Sequence, residues 1–158
     1  MPTYTTKKRR PKIGDVIEIP TPRGLAYAQY THKHPMYGAL LRVLRGIYTQ
    51  RPADFSEVVK QEEHFKAFFP LGAAVHRDIV TIVAHEEVPD SAKPFPMFRA
   101  AGMIDRSGRV RSWLLWDGER DWYVGQLTPE QRQLPELQIV NDTALIEMIL
   151  EGPYPEND

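Results

Sequence analysis

The sequence predicts an α+β domain that is mostly antiparallel. Its strands should form a strongly bent β-sheet or an SH3-like partial barrel, flanked by two helices, one of them C-terminal. Three observations carry this. Short runs of alternating or β-branched residues recur from Ile13 to Gly125, bounded by Pro, Gly or Asp. Proline makes up 14 of 158 residues, about twice the usual share, which disfavours a helical bundle. Only two stretches combine a helix start signal with helical apolar spacing.

Residues 13–19, IGDVIEI, read as a first strand ending at Pro20, and Thr21 to Gly24 as a turn. Residues 25–31 alternate, with Leu25, Tyr27 and Gln29 on one face and Ala26, Ala28 and Tyr30 on the other. A loop around Pro35 is expected over 32–37. Residues 38–48 form a third strand with two apolar faces, as a central or barrel strand requires. Asp54 and Glu57 resemble a capping box opening a short helix over 55–62. Residues 64–69 alternate again, and 79–85, IVTIVAH, make the clearest buried-strand run. Three prolines over 88–96 imply an extended connection. Residues 97–125 read as a three-stranded meander, turning at 106–108 and, tightly, at Asp117-Gly118. The last helix is capped by Asn141 or Asp142, buries Leu145, Met148 and Ile149, and stops at Gly152-Pro153.

The chain therefore divides into a basic N-terminal arm (1–12), one α+β domain (13–152) and an acidic tail (153–158). Lys7, Lys8, Arg9, Arg10 and Lys12 read as a solvated, frayed end, with phosphate binding as the sharper alternative. No apolar run follows the arm, so it does not read as a signal peptide, and no stretch reaches the length of a membrane span. A soluble, cytoplasmic protein without a membrane partner is the expectation. A net charge of −1 gives no reason to expect nucleic acid as the primary partner. The absence of cysteine excludes disulfides, a thiol nucleophile and Cys-ligated metals.

Few residues suggest chemistry. His32 and His34 share a face if the second strand extends that far, but two ligands do not make a metal site. None of Ser56, Ser91, Ser107 and Ser112 sits in a Gly-x-Ser-x-Gly setting, and no Gly-rich phosphate loop occurs. No cofactor is expected. The hairpin Trp116 to Trp122 places aromatics beside Asp117, Glu119 and Asp121, a pattern suited to docking a basic partner. Trp113 and Trp116 must face opposite sides, so at least one belongs to the core. Asp15, Glu18, Glu86 and Glu87 form a second acidic group, although an acid beside Gly14 also suits a structural hydrogen bond.

The stretch IGDVIEIPTPRGLAYAQYTHKHPMYGALLRVL at 13–44 resembles the start of the immunity protein 26 family of bacterial polymorphic toxin systems. Pro96-Met97-Phe98-Arg99, Trp113 through Gly118, Gly125-Gln126-Leu127-Thr128, Leu134-Pro135 and the Leu145 helix resemble the same layout, so the likeness spans about residues 12–151. It implies a non-catalytic cytoplasmic protein that binds and neutralises a cognate protein toxin. The surface it would use is Asp117, Glu119, Asp121, Trp116 and Trp122, with Asp15, Glu18, Glu86 and Glu87 beside it. Some relatives carry a phosphotriesterase label, which implies a metal-dependent hydrolase. That chemistry needs about four histidines and two carboxylates, and only His32 and His34 are usefully spaced. The Gly-Asp-Val-Ile opening is also similar to PemK-type endoribonucleases, a weaker link.

Overall fold

The computed structural model describes residues 8–153. Lys7 of the basic arm, and Glu156 and Asp158 of the acidic tail, lie outside them. Strands β1 (Asp15–Thr21), β2 (Gly24–His34), β3 (Gly38–Leu44), β4 (Glu63–Phe69) and β5 (Thr81–His85) pair antiparallel in the order β4-β3-β2-β1-β5. Strands β6 (Phe98–Ala101), β7 (Trp113–Trp116) and β8 (Asp121–Gly125) make a second antiparallel sheet in sequence order. Three helices complete the domain: α1 (Phe55–Val58), α2 (Leu71–His76) and α3 (Asp142–Glu151). The architecture is the antiparallel α+β class that the sequence predicts.

Neither sheet closes into a barrel, and the strands form two open antiparallel sheets. The reason lies at the edges. Closure would require β4 to pair with β5, but the backbone of Phe68 in β4 instead accepts the N–H of Val140 at 2.9 Å. The third strand also ends early: its register shifts between Val43 and Leu44, and beyond it Tyr48 makes only an isolated bridge to Leu25.

Side-chain alternation sets the layers. Ile17, Ile19, Ala26, Ala28, Tyr30, Leu41, Val43 and Phe65 pack on one face of the large sheet against Leu71 and Val75 of α2 and Leu145 and Ile149 of α3. Val16, Tyr27 and Leu44 face the other way and are covered by Phe55 and Val58 of α1. On that same side of β3 and β4, Leu40 and Phe68 meet Phe98 and Trp116 from the small sheet. This third cluster joins the two sheets. Trp113 and Leu115, on the opposite face of β7, pack with Leu127.

The local signals work as their chemistry dictates. The Asn141 side chain accepts the Ala144 N–H at 2.8 Å and opens α3, and Gly152 at φ +99° ends it. Asp54 caps α1 by accepting the Ser56 N–H at 2.9 Å, although that helix spans 4 residues rather than the eight expected. The expected loop at 32–34 is instead the end of β2, and the turn follows it. Far from being a buried strand, β5 is an edge strand with Thr81 and His85 exposed, because only β1 pairs with it. Two helices were expected and α2 makes a third. From Lys8 on, the arm expected to fray is tied down: Lys8 pairs with Asp78 at 2.7 Å and Arg9 with Asp15 at 2.7 Å.

Candidate functional site

The β7–β8 hairpin is where the expected docking residues converge. Trp116 and Asp121 are opposed in register, leaving a four-residue loop, 117–120, rather than the two-residue turn that Asp117-Gly118 suggests. Asp117 organises the loop. Its Oδ1 accepts the N–H of Glu119 at 2.9 Å and of Arg120 at 2.8 Å, while its own N–H donates to the Arg120 carbonyl at 3.1 Å. These backbone donors, Arg120's first, hold its carboxyl below the ordinary aspartate range, so it stays charged at neutral pH. Glu119 and Asp121 are exposed beside it.

In β8 the pleat puts Trp122 opposite Leu115 and Tyr123 opposite Leu114, one aromatic on each face of the strand. Trp122 is 40% exposed and Tyr123 70%. β8 pairs with β7 alone, so its outer edge offers unpaired backbone groups.

A histidine fixes the tip. The Nδ1 of His34 accepts the backbone N–H groups of Met36 (3.1 Å) and Tyr37 (3.3 Å), so in the neutral ring the proton sits on Nε2. That Nε2–H donates to the Gly118 carbonyl at 2.8 Å. The ring packs against Trp116 at 4.9 Å and Tyr37 at 5.2 Å. The end of β2 thus clamps the loop it faces 84 residues later. Gly118 is required there: it sits at φ +102°, and a Cβ would lie 2.7 Å from Phe95 Cε1. Gly118→Ala should cost about 2 kcal/mol, combining backbone strain with displacement of Phe95. Urea unfolding checks this against Glu119→Ala, an exposed neighbour expected to stay within about 0.5 kcal/mol of the parent.

The remaining expected docking residues are placed differently. Trp116 is 8% exposed and belongs to the inter-sheet cluster, so it is a core residue rather than a surface anchor. Trp113 is buried as well, on the opposite face. The Asp15 side chain is wholly buried. It accepts two hydrogen bonds from Arg9 (2.7 Å each), one from the Lys12 N–H (2.8 Å) and one from His85 Nδ1 (2.9 Å). Glu18 is buried too, taken by the Tyr27 hydroxyl at 2.8 Å and by Arg51 at 2.8 and 3.0 Å. Neither offers a carboxylate to a partner, which corrects their placement in the second acidic group. Glu86 is half-buried, and its backbone carbonyl accepts the Gln29 amide at 2.9 Å. Glu87 is exposed and paired with Lys93 at 3.3 Å. Asp117, Glu119, Asp121 and Trp122 therefore remain together on one hairpin, joined by Tyr123. The sequence reading passed over Tyr123, although the alternation of Trp122 and Tyr123 was a usable signal.

The catalytic alternatives find little support in the geometry. His32 and His34 do share a face, both packing on Phe95, but their ring nitrogens are engaged. His32 Nε2 donates to the Lys93 carbonyl at 2.7 Å and its Nδ1 lies 2.9 Å from the Thr31 hydroxyl. Among the described residues, no group of three or more His, Asp or Glu side chains is placed to hold a metal ion. The hydroxyls of Ser56 and Ser107 each donate to an aspartate two residues before them, at 2.5 Å, as local turn contacts. Ser112 accepts the Met103 N–H at 2.9 Å. No described helix is long and apolar enough to cross a membrane.

Fold and hairpin together define a class: an α+β protein whose small sheet presents an acidic, aromatic edge, held rigid from beneath. No family model matches the chain, and no characterised protein or solved structure does so either.

Proposed function

We propose that this chain is a non-catalytic, cytoplasmic immunity protein that docks a basic protein toxin on its β7–β8 hairpin. The observation that carries the reading is the concentration of Asp117, Glu119 and Asp121 with exposed Trp122 and Tyr123 on one hairpin, its loop and its free outer strand. The carboxylates steer a basic partner into encounter, and the aromatics supply the buried contact. The His34 clamp lowers the ordering cost of binding, because the loop is already fixed. The family resemblance supports the same direction, since toxins of such systems include nucleases with basic clefts, whose phosphate substrate a row of carboxylates imitates.

The test uses a candidate toxin domain, sought first in the reading frames that neighbour this one. The triple variant Asp117→Asn, Glu119→Gln, Asp121→Asn keeps an acceptor oxygen at position 117 and so preserves the loop. It should associate about tenfold or more slowly at low salt and lose most of its salt dependence, while Trp122→Ala should mainly speed dissociation. Unchanged association rates in the triple variant would remove the hairpin from the docking surface.

A further inference from the structure

A second feature lies on the opposite face of the small sheet from Phe98 and Trp116. A cavity of about 270 Å³ is lined there by Arg99, Arg109, Arg111, Arg132, Trp113 and Gln126. Four arginines line it, one from β6, two from the 108–111 segment and Arg132 from a third. Arg99 is 1% exposed and fixed: its Nε donates to the Leu134 carbonyl at 3.2 Å, and its guanidinium lies 4.8 Å over the Trp113 ring. Arg111 is neutralised by Asp105, 2.6 Å away. Ser107's hydrogen bonds lead in holding that carboxyl down at about 2, with the Arg109 N–H and Arg111 adding to them. Arg109 and Arg132 have no acidic partner among the described residues.

We propose that this cavity binds a small phosphate-bearing ligand. Arg109 and Arg132 are the cations of this lining left to an anion, since Arg111 is paired with Asp105 and Arg99 is engaged within the fold. Guanidinium is the group for phosphate: its planar fork donates two parallel hydrogen bonds to two oxygens of one phosphoryl group. Arg109 and Arg132 together match the roughly two negative charges that a terminal phosphoryl group carries near neutral pH, and the fork geometry, rather than charge count, favours it over a carboxylate. The volume suits such a group and excludes a dinucleotide, since ligand pockets for drug-sized molecules begin at about 300 Å³. The Gln126 amide adds a neutral hydrogen-bonding group, and Trp113, braced by Arg99, gives a rigid wall. This inference does not depend on the docking reading, because the site needs no partner protein.

Titration calorimetry of the full chain with inorganic pyrophosphate at constant ionic strength tests it, with citrate as the carboxylate control. Saturable one-to-one binding of pyrophosphate, tighter than citrate, is the expected result. The double variant Arg109→Ala, Arg132→Ala should bind about tenfold or more weakly. The surface variant Arg23→Ala, Arg45→Ala should bind like the parent. All forms are first shown to unfold at the same temperature. The proposal is overturned by an absence of saturable binding, by citrate binding as tightly, or by equal loss in both double variants.

Discussion

Truncating Phe68 to alanine should lower the unfolding free energy by about 3–5 kcal/mol, the range for a large aromatic removed from a close-packed core. Phe68 is fully buried in β4, yet its ring points away from the main helix-covered core. It stacks on Phe98 with centroids 5.3 Å apart and planes at 22°, and meets Tyr37 at 5.4 Å and Trp116 at 6.2 Å. Phe68 is thus the large aromatic through which the large sheet, with Leu40 and His34 beside it, holds the small sheet. Phe65, also buried in β4 but on the opposite face, belongs to the helix-covered core. Phe65→Ala should cost a similar amount globally without selectively loosening β7 and β8. Amide exchange distinguishes the two. Protection in β7 and β8 should fall in Phe68→Ala by more than the global loss accounts for. A cost below about 1.5 kcal/mol, or uniform exchange, would show that the sheets are held together elsewhere.

Asp15→Asn should cost about 3 kcal/mol near neutral pH, because it breaks a buried charged network and strands its partners. Burial alone would raise the Asp15 pKa. The hydrogen bonds from Arg9, the Lys12 N–H and His85 outweigh it and hold the carboxyl below its ordinary range. A carboxylate depressed in this way stabilises the fold at pH values above its unfolded pKa, and that contribution disappears as pH falls through the folded value. The stability gap between parent and Asp15→Asn should therefore be widest near about pH 7 and narrow toward about pH 2. Glu18 is also depressed, chiefly by its hydrogen bonds from Arg51 against the opposing effect of burial, so some acid sensitivity should survive in the variant. Urea midpoints across this range measure the gap. A gap of constant width would mean that the Asp15 charge does not carry the stabilisation. The same network ties the N-terminal segment and the end of β5 to β1, since Arg9 and His85 both reach Asp15.

How legible the molecule was can be judged from particular residues. The two faces of β2 were readable because strand alternation is local: Ala26, Ala28 and Tyr30 do face the main core, and Tyr27 the other side. The caps of α1 and α3 were readable for the same reason, being contacts within three residues. By contrast, β5 looked like a buried strand, because a hydrophobic run carries no record of how many neighbours it will have. Helix α2 escaped notice because six residues after a proline are too few to show a period. The cavity was illegible in principle, since Arg99, Arg109, Arg111 and Arg132 carry no spacing that signals a common cavity.

By itself the sequence determined the α+β class, the strand alternation, the helix caps and the acidic, aromatic character of the hairpin. Each of these follows from interactions between residues a few positions apart. Only the tertiary structure decided that Trp116 is core while Trp122 is exposed, and that Asp15 and Glu18 face inward while Asp117 faces out. Those outcomes depend on partners tens of residues away: Phe68 for Trp116, His85 for Asp15, Arg51 for Glu18. A side chain's environment is set by which surfaces meet across the fold, and no local pattern specifies that meeting.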